Sequence, residues 1–249
     1  MVSIKNKKPT VAKNRVKTSE PPFETRELRK QLSEFFRQPI VDPNTHEPIR
    51  LGACRFGVYA FFDYDGEPIY VGRTRESLGG RVGRHLTNQR TDAVAMNVLD
   101  PFEVCEIEVW PLAEYQDRKK DDKEALEDLN ALEAAIFQRA LRASKFNAVL
   151  NEKVPVSTVS PRSLPASIRT RVVSDQVNEI RGHPDSRIAR RAATLARLAQ
   201  VISERSVKQG LRRTLLTQAK RLEWLAEERI KPFLTTIEAD DKKAKGGKD

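Results

Sequence analysis

Apolar positions between residues 25 and 38 fall at Leu28, Leu32, Phe35 and Phe36, the three-and-four spacing of an amphipathic helix. The stretch PIVDPNTHEP after it is rich in turn formers. From Gly57 the pattern becomes a run of strand-forming residues interrupted at Asp65-Gly66, which predicts a β-hairpin. If those two residues are the turn, Tyr59 faces Gly72 and one side of the hairpin carries Val58, Ala60, Phe62, Ile69 and Val71, an apolar set suited to packing against helices. The other side then carries Gly57, Tyr59, Phe61, Pro68, Tyr70 and Gly72, with Tyr59 diagonal to Tyr70 at about 7–8 Å. A three-residue loop would slip this register and separate the two phenols.

Farther along, SLGGRVGRHLTNQ predicts a helix that begins near Gly80, and FEVCEIEVW alternates Cys105, Ile107 and Val109 with Glu106 and Glu108, as a half-buried strand should. Leu129, Leu132, Ile136 and Ala140 mark a helix over 124–144. Strand, strand, helix, strand, helix is the order of a small mixed α/β domain: an antiparallel hairpin plus a third strand, flanked by helices. Its expected extent, with the N-terminal helix, is 23–153. A Pro- and Ser-rich linker over 154–165 leads to a helical module over 166–238, and residues 239–249 read as a tail. Three stripes build that module: Ile168, Val172, Gln176 and Ile180; Ile188, Ala192, Leu195, Ala199 and Ile202; and Leu211, Leu215, Leu222 and Leu225. Its arginines are expected on the outer faces, where binding would occur.

Charge sharpens this picture once it is located along the chain. The net charge of +10 is concentrated in the flanks: six Lys or Arg against one acid in residues 1–20, and sixteen against seven in 161–231, while 21–160 holds nineteen against twenty-three. Residues 1–22 read as a mobile basic arm, with too few apolar side chains to offset ordering entropy. Clustered cations that displace counterions suit a polyanion such as DNA. No run of about 18 apolar residues is present, which excludes a spanning helix. The basic N-terminus lacks the apolar segment of a secretory signal, and Cys54 and Cys105 lack metal-type spacing. A cytoplasmic protein with a polyanion partner is the expectation.

The tripeptides GVY at 57–59 and YVG at 70–72, the RVGRH of Arg81 to His85, and LEAAIFQRALRASKFNAVLN farther on resemble, in that order, the motifs of the GIY-YIG nucleases. The likeness covers about residues 55–151. It implies a metal-dependent phosphodiesterase fold with Tyr59, Tyr70, Arg81, His85, Glu133 and Asn147 as catalytic residues. Glu133 would hold one Mg²⁺ or Mn²⁺ ion, since a lone carboxylate suits a metal that keeps most of its waters. Asn147, with Asn151 as the alternative, would hydrogen-bond the site backbone or side chains. Arg73, Arg75, Arg84 and Arg90 would grip flanking phosphates.

The mechanism so implied is hydrolysis in one step, with Tyr59 as the general base, Arg81 stabilising the developing phosphorane charge, and Tyr70 and His85 orienting the water or relaying its proton. A phenol with a pKa of about 10 needs neighbouring positive charge to act as a base at pH 7. A site-specific or restriction-like enzyme is the leading expectation, with a homodimer through the C-terminal helices to reach both strands. Two readings stand beside it: a nucleic-acid-binding protein that does not cut, and a structure-specific or RNA-directed nuclease on the same scaffold.

Overall fold

The computed structural model describes residues 20–87, 98–162 and 164–246. Helix α1, Phe23–Arg37, buries the Leu28, Leu32, Phe35 and Phe36 stripe that its spacing predicts. The turn-rich stretch after it folds into a small hairpin of β1, Pro39–Val41, and β2, Pro48–Arg50. The central elements are β3, Gly57–Phe62; β4, Pro68–Thr74; α2, Leu78–Thr87; β5, Glu106–Pro111; and α3, Lys123–Ala143. Asp122 caps α3 by accepting from the Ala125 amide at 3.0 Å, satisfying one of the orphan donors of its first turn. Four C-terminal elements complete the molecule: β6, Ile168–Arg171; α4, Asp175–Arg181; α5, Pro184–Glu204; and α6, Gln209–Gly246.

Strands β4, β3, β5 and β6 form one antiparallel sheet in that order. Each face has its own buried cluster. Tyr59, Phe61 and Ile69 meet α1, α2 and the C-terminal residues Leu198, Ile202 and Leu211 on one side. Val58, Ala60, Phe62 and Val71 meet Leu129, Leu132, Ile136 and Phe137 of α3 on the other. Because both faces are covered, β5 is buried along most of its length and not half-exposed: even Glu108 is buried, 3.8 Å from the Arg139 guanidinium.

The hairpin combines a three-residue loop with the register expected of a two-residue one. The Asp63 amide donates to the Glu67 carbonyl at 3.0 Å, and Gly66 takes φ +71° between them, the left-handed conformation that glycine adopts without a Cβ penalty. One residue would thereby be lost from the register, yet Tyr59 still faces Gly72 and Phe61 faces Tyr70 because the pairing shifts between Phe61 and Phe62, where Ile69 is left over on β4. The bulge has a second effect. Ile69 joins the cluster of Tyr59 and Phe61, not the Val58 face to which strict alternation assigns it.

Two C-terminal expectations need correction. The stripe from Ile168 to Ile180 is not one helix: Ile168–Arg171 pairs with β5 as β6, and Ser174 then caps the short α4. In α5 the buried residues are Arg187, Arg191, Thr194, Leu198 and Ile202, while Ala192 and Ala199 are exposed. Arginines therefore lie on the inner face of α5. They are tolerated there because Arg187 pairs with Asp65 and Arg191 with Asp63 and Glu103, carboxylates of the hairpin loop and of the segment before β5. Among the described residues no helix is long and apolar enough to cross a membrane.

Candidate active site

Tyr59 is fully buried on the α2 side of β3, and its hydroxyl shares a hydrogen bond of 2.8 Å with Nε2 of His85. Arg81, one helical turn before His85 on α2, donates from Nε to the same hydroxyl at 3.4 Å. The Tyr59 and Tyr70 rings stack with centroids 6.5 Å apart, and His85 lies 5.4 Å from Tyr70, so the two phenols and the imidazole form one group. Gly72 makes this arrangement possible. A Cβ there would stand 2.5 Å from the Tyr59 hydroxyl oxygen.

Electrostatics set the resting state of this group. Burial, with Tyr70 adding to it, pushes the Tyr59 phenol above its ordinary value, and the opposing pull of Arg81 does not overcome it. Burial pushes His85 down to about 3, and the Arg81 and Arg84 charges add to the shift. At neutral pH the pair is thus a protonated phenol against a neutral imidazole.

Glu133 projects from the third turn of α3 to the edge strand β4, where its carboxylate meets Arg73 Nε at 2.8 Å. Alternation along β4 explains the geometry: Gly72 faces Tyr59, so Arg73 faces α3. Burial raises the Glu133 pKa, while Arg73 and Arg81 oppose the rise. A cleft of about 800 Å³ opens along this edge, and its walls include Tyr59, Tyr70, Arg81 and Glu133. Arg75 and Arg84 also line it; Arg75 is exposed, and Arg84 holds Glu76 at 2.8 Å. Arg73 is in the cleft but is engaged by Glu133. Arg90 lies outside the described residues.

Asn147 is not part of the cleft. It is exposed with φ +49° in the turn after α3, a conformation that Asn tolerates better than most side chains. The chain then runs beside β4, with the Leu150 amide donating to the Ile69 carbonyl at 2.8 Å, which brings Asn151 opposite Val71. Asn151 accepts from the Val71 amide at 3.0 Å and donates to its carbonyl at 2.6 Å. The amide that holds the site backbone is therefore Asn151's. Asn130 and Lys153 also line the cleft; no motif marks them in the sequence, although Asn130 stands three residues before Glu133 and so shares its helix face.

Among the described residues no three His, Cys, Asp or Glu side chains converge as a metal cluster. A metal at Glu133 would therefore take its remaining ligands from water and substrate. Glu133 fits that arrangement as a hard oxygen donor, mostly buried yet open to the cleft, and a metal there would share the carboxylate with Arg73 or displace it.

The family model of the GIY-YIG catalytic domain matches residues 55–142. No curated protein and no solved structure matches the chain. The matched span holds the tyrosine pair, Arg81, His85 and Glu133, and the family generally uses a divalent metal. Residues 55–142 are thus a GIY-YIG catalytic domain, the catalytic unit of a phosphodiester-hydrolysing endonuclease family.

Proposed function

We propose that the chain is a DNA endonuclease dependent on Mg²⁺ or Mn²⁺, with its reaction centre in the cleft between Tyr59 and Glu133. The observation that carries this reading is that Tyr59, Arg81, Tyr70 and Glu133 line one cleft, with His85 hydrogen-bonded behind Tyr59. A scissile phosphate placed there meets Arg81 on one side, with Arg75 and Lys153 available to flanking phosphates and Arg84 available once it releases Glu76. Water attacks phosphorus in line and the bond to the 3′ oxygen breaks. The water proton passes to the Tyr59 oxygen as the Tyr59 proton passes to Nε2 of His85, so no free phenolate need form in a buried site. His85 is neutral at pH 7 and so has an acceptor nitrogen, but burial and the Arg81 and Arg84 charges make it a weak base, and it takes this proton only as the bound phosphate offsets those charges. Arg81, which lines the cleft, would stabilise the negative charge that develops on the phosphorane. Glu133 would hold the divalent ion, which would supply charge neutralisation for the leaving group.

The basic flanks favour nucleic acid as the substrate. Cutting both strands calls for two copies or two nicks, and Ile230, Phe233 and Leu234, all exposed on α6, offer an apolar patch for a second copy. The test is incubation of the full-length protein with supercoiled plasmid and Mg²⁺, followed by mapping of the ends. Nicked or linear product that disappears with chelator and in Glu133→Ala is expected. Intact plasmid across a metal screen, with unimpaired DNA binding by both proteins, would leave the non-cutting reading in its place. Preferential cleavage of RNA or of branched DNA would instead assign the same chemistry to another substrate.

A further inference from the structure

The loop of the catalytic hairpin is held by the C-terminal helices through buried ion pairs. Asp63, the last residue before the loop, is 2% exposed, and its two carboxylate oxygens have different tasks. Oδ1 accepts from the Asp65 amide at 2.9 Å and the Glu67 amide at 3.0 Å, which shapes the three-residue loop. Oδ2 accepts from Arg191 of α5 at 2.8 Å and from Arg221 of α6 at 2.7 Å. Arg191 also donates to Glu103 at 2.8 Å and to the Arg221 carbonyl at 3.0 Å. Beside them Arg187 grips Asp65 with both terminal nitrogens.

This loop geometry and the bulge at Ile69 are linked. A three-residue loop displaces the register by one, and the leftover Ile69 restores it, so that Tyr59 faces Gly72 and Ile69 packs beneath the aromatic group. The same helices contribute Leu198, Ile202 and Leu211 to the cluster that buries Tyr59. Two independent connections, one ionic and one apolar, therefore run from the C-terminal helices to the tyrosine face. The helices that make these connections lie outside the 55–142 span of the catalytic domain.

We infer that Asp63, with Arg191 and Arg221, is a positioning residue for the Tyr59–His85 pair, and that the C-terminal helices complete the catalytic site in cis. The kinetic half of this inference rests on the nuclease reading, but the structural half does not. A guanidinium fork matched to a carboxylate fixes both distance and plane, so the loop conformation is transmitted through the paired backbone from Phe62 back to Tyr59. Burial alone would ask only for matching volume and charge. Here the fork geometry itself matters, which is why Lys cannot replace Arg191 without loss.

The experiment uses the full-length protein with Asp63→Asn and Arg191→Lys, together with Leu225→Ala as a destabilised control within α6. Plasmid cleavage with Mg²⁺ gives kcat and KM, and the ¹⁵N signals of the histidine rings report the Tyr59–His85 hydrogen bond. Asp63→Asn and Arg191→Lys are expected to lower kcat at least tenfold with KM within twofold and to shift the His85 signals, while Leu225→Ala lowers Tm and changes neither. A lowered Tm with wild-type kcat and wild-type His85 signals in Asp63→Asn would overturn the inference. Should Asp63→Asn fail to fold, Arg191→Lys decides the matter: a threefold or larger drop in kcat with shifted His85 signals supports it, and unchanged values refute it. If the wild type leaves plasmid intact, the nuclease reading fails on its own, and the His85 signals alone decide the positioning role.

Discussion

At the scale of single residues, the absence of one side chain decides the site. Gly72→Ala is expected to destabilise the protein by about 1–3 kcal/mol and to abolish cleavage, because the new Cβ would push the Tyr59 ring away from its hydrogen bonds to His85 and Arg81. Urea unfolding and plasmid cleavage measure the two effects. Glu133 presents the opposite case. Its raised pKa means that the folded chain holds the carboxylate in an unfavourable setting at neutral pH, so Glu133→Gln should leave the urea midpoint at or above that of wild type while eliminating cleavage. His85 makes stability depend on pH. The unfolded chain takes up a proton below about 6.5, whereas the folded His85 resists it down to about 3, so its contribution is complete above 6.5 and is lost as pH falls through that window. Urea midpoints at pH 7.5, 6 and 5 should therefore fall more steeply for wild type than for His85→Gln. Tyr59, Tyr70, Arg81, His85 and Glu133 could be picked out in the sequence because each stands in a short motif with a fixed neighbour. Asn147 and Asn151 could not be told apart that way. Both follow apolar residues after the same helix, and only the path of the chain beside β4 brings Asn151 to Val71.

At the scale of elements, β4 is the strand on which the proposed chemistry turns. It is an edge strand with Tyr70 and Gly72 toward α2 and Arg73 toward α3, so a ligand in the cleft reaches groups from both faces of the sheet. Asn151 substitutes for a neighbouring strand at Val71. Asn151→Ala is expected to cost about 1–3 kcal/mol by leaving the Val71 amide and carbonyl without their partners, and to lower cleavage with it. Asn147→Gly should change the unfolding midpoint little, since its turn already requires positive φ. The hairpin shows how an element can look right in sequence for an incomplete reason. Asp65-Gly66 does mark the turn, but the loop is one residue longer than the pair suggests. The bulge compensates, so the tyrosines meet while Ile69 changes face.

At the scale of the whole molecule, the C-terminal helices are joined to the catalytic sheet by β6, by shared apolar residues and by the Asp63 network. Removing Asp63 leaves two buried guanidinium groups with a partner missing, and Asp63→Ala is expected to cost about 3–5 kcal/mol in a thermal or urea melt. Charge that remains exposed is then a smaller pool than composition implies, because Arg181, Arg187, Arg191 and Arg221 are buried in the fold. DNA affinity should still fall as salt rises, and Lys153→Ala should reduce the slope of log K against log salt by about one, as measured by fluorescence anisotropy.

Local pattern was sufficient for the hairpin, for α1, α2, β5 and α3 in order, and for the residue types that could act on a phosphodiester, because periodicity and short motifs are properties of neighbours along the chain. Tertiary structure alone decided which asparagine holds β4, that Ile168–Arg171 extends the sheet, and that the inner face of α5 carries arginine. The physical reason is common to all three. Whether a polar group is buried depends on a partner distant in sequence, and an arginine on a helix looks the same in sequence whether it meets water or the carboxylate of Asp63.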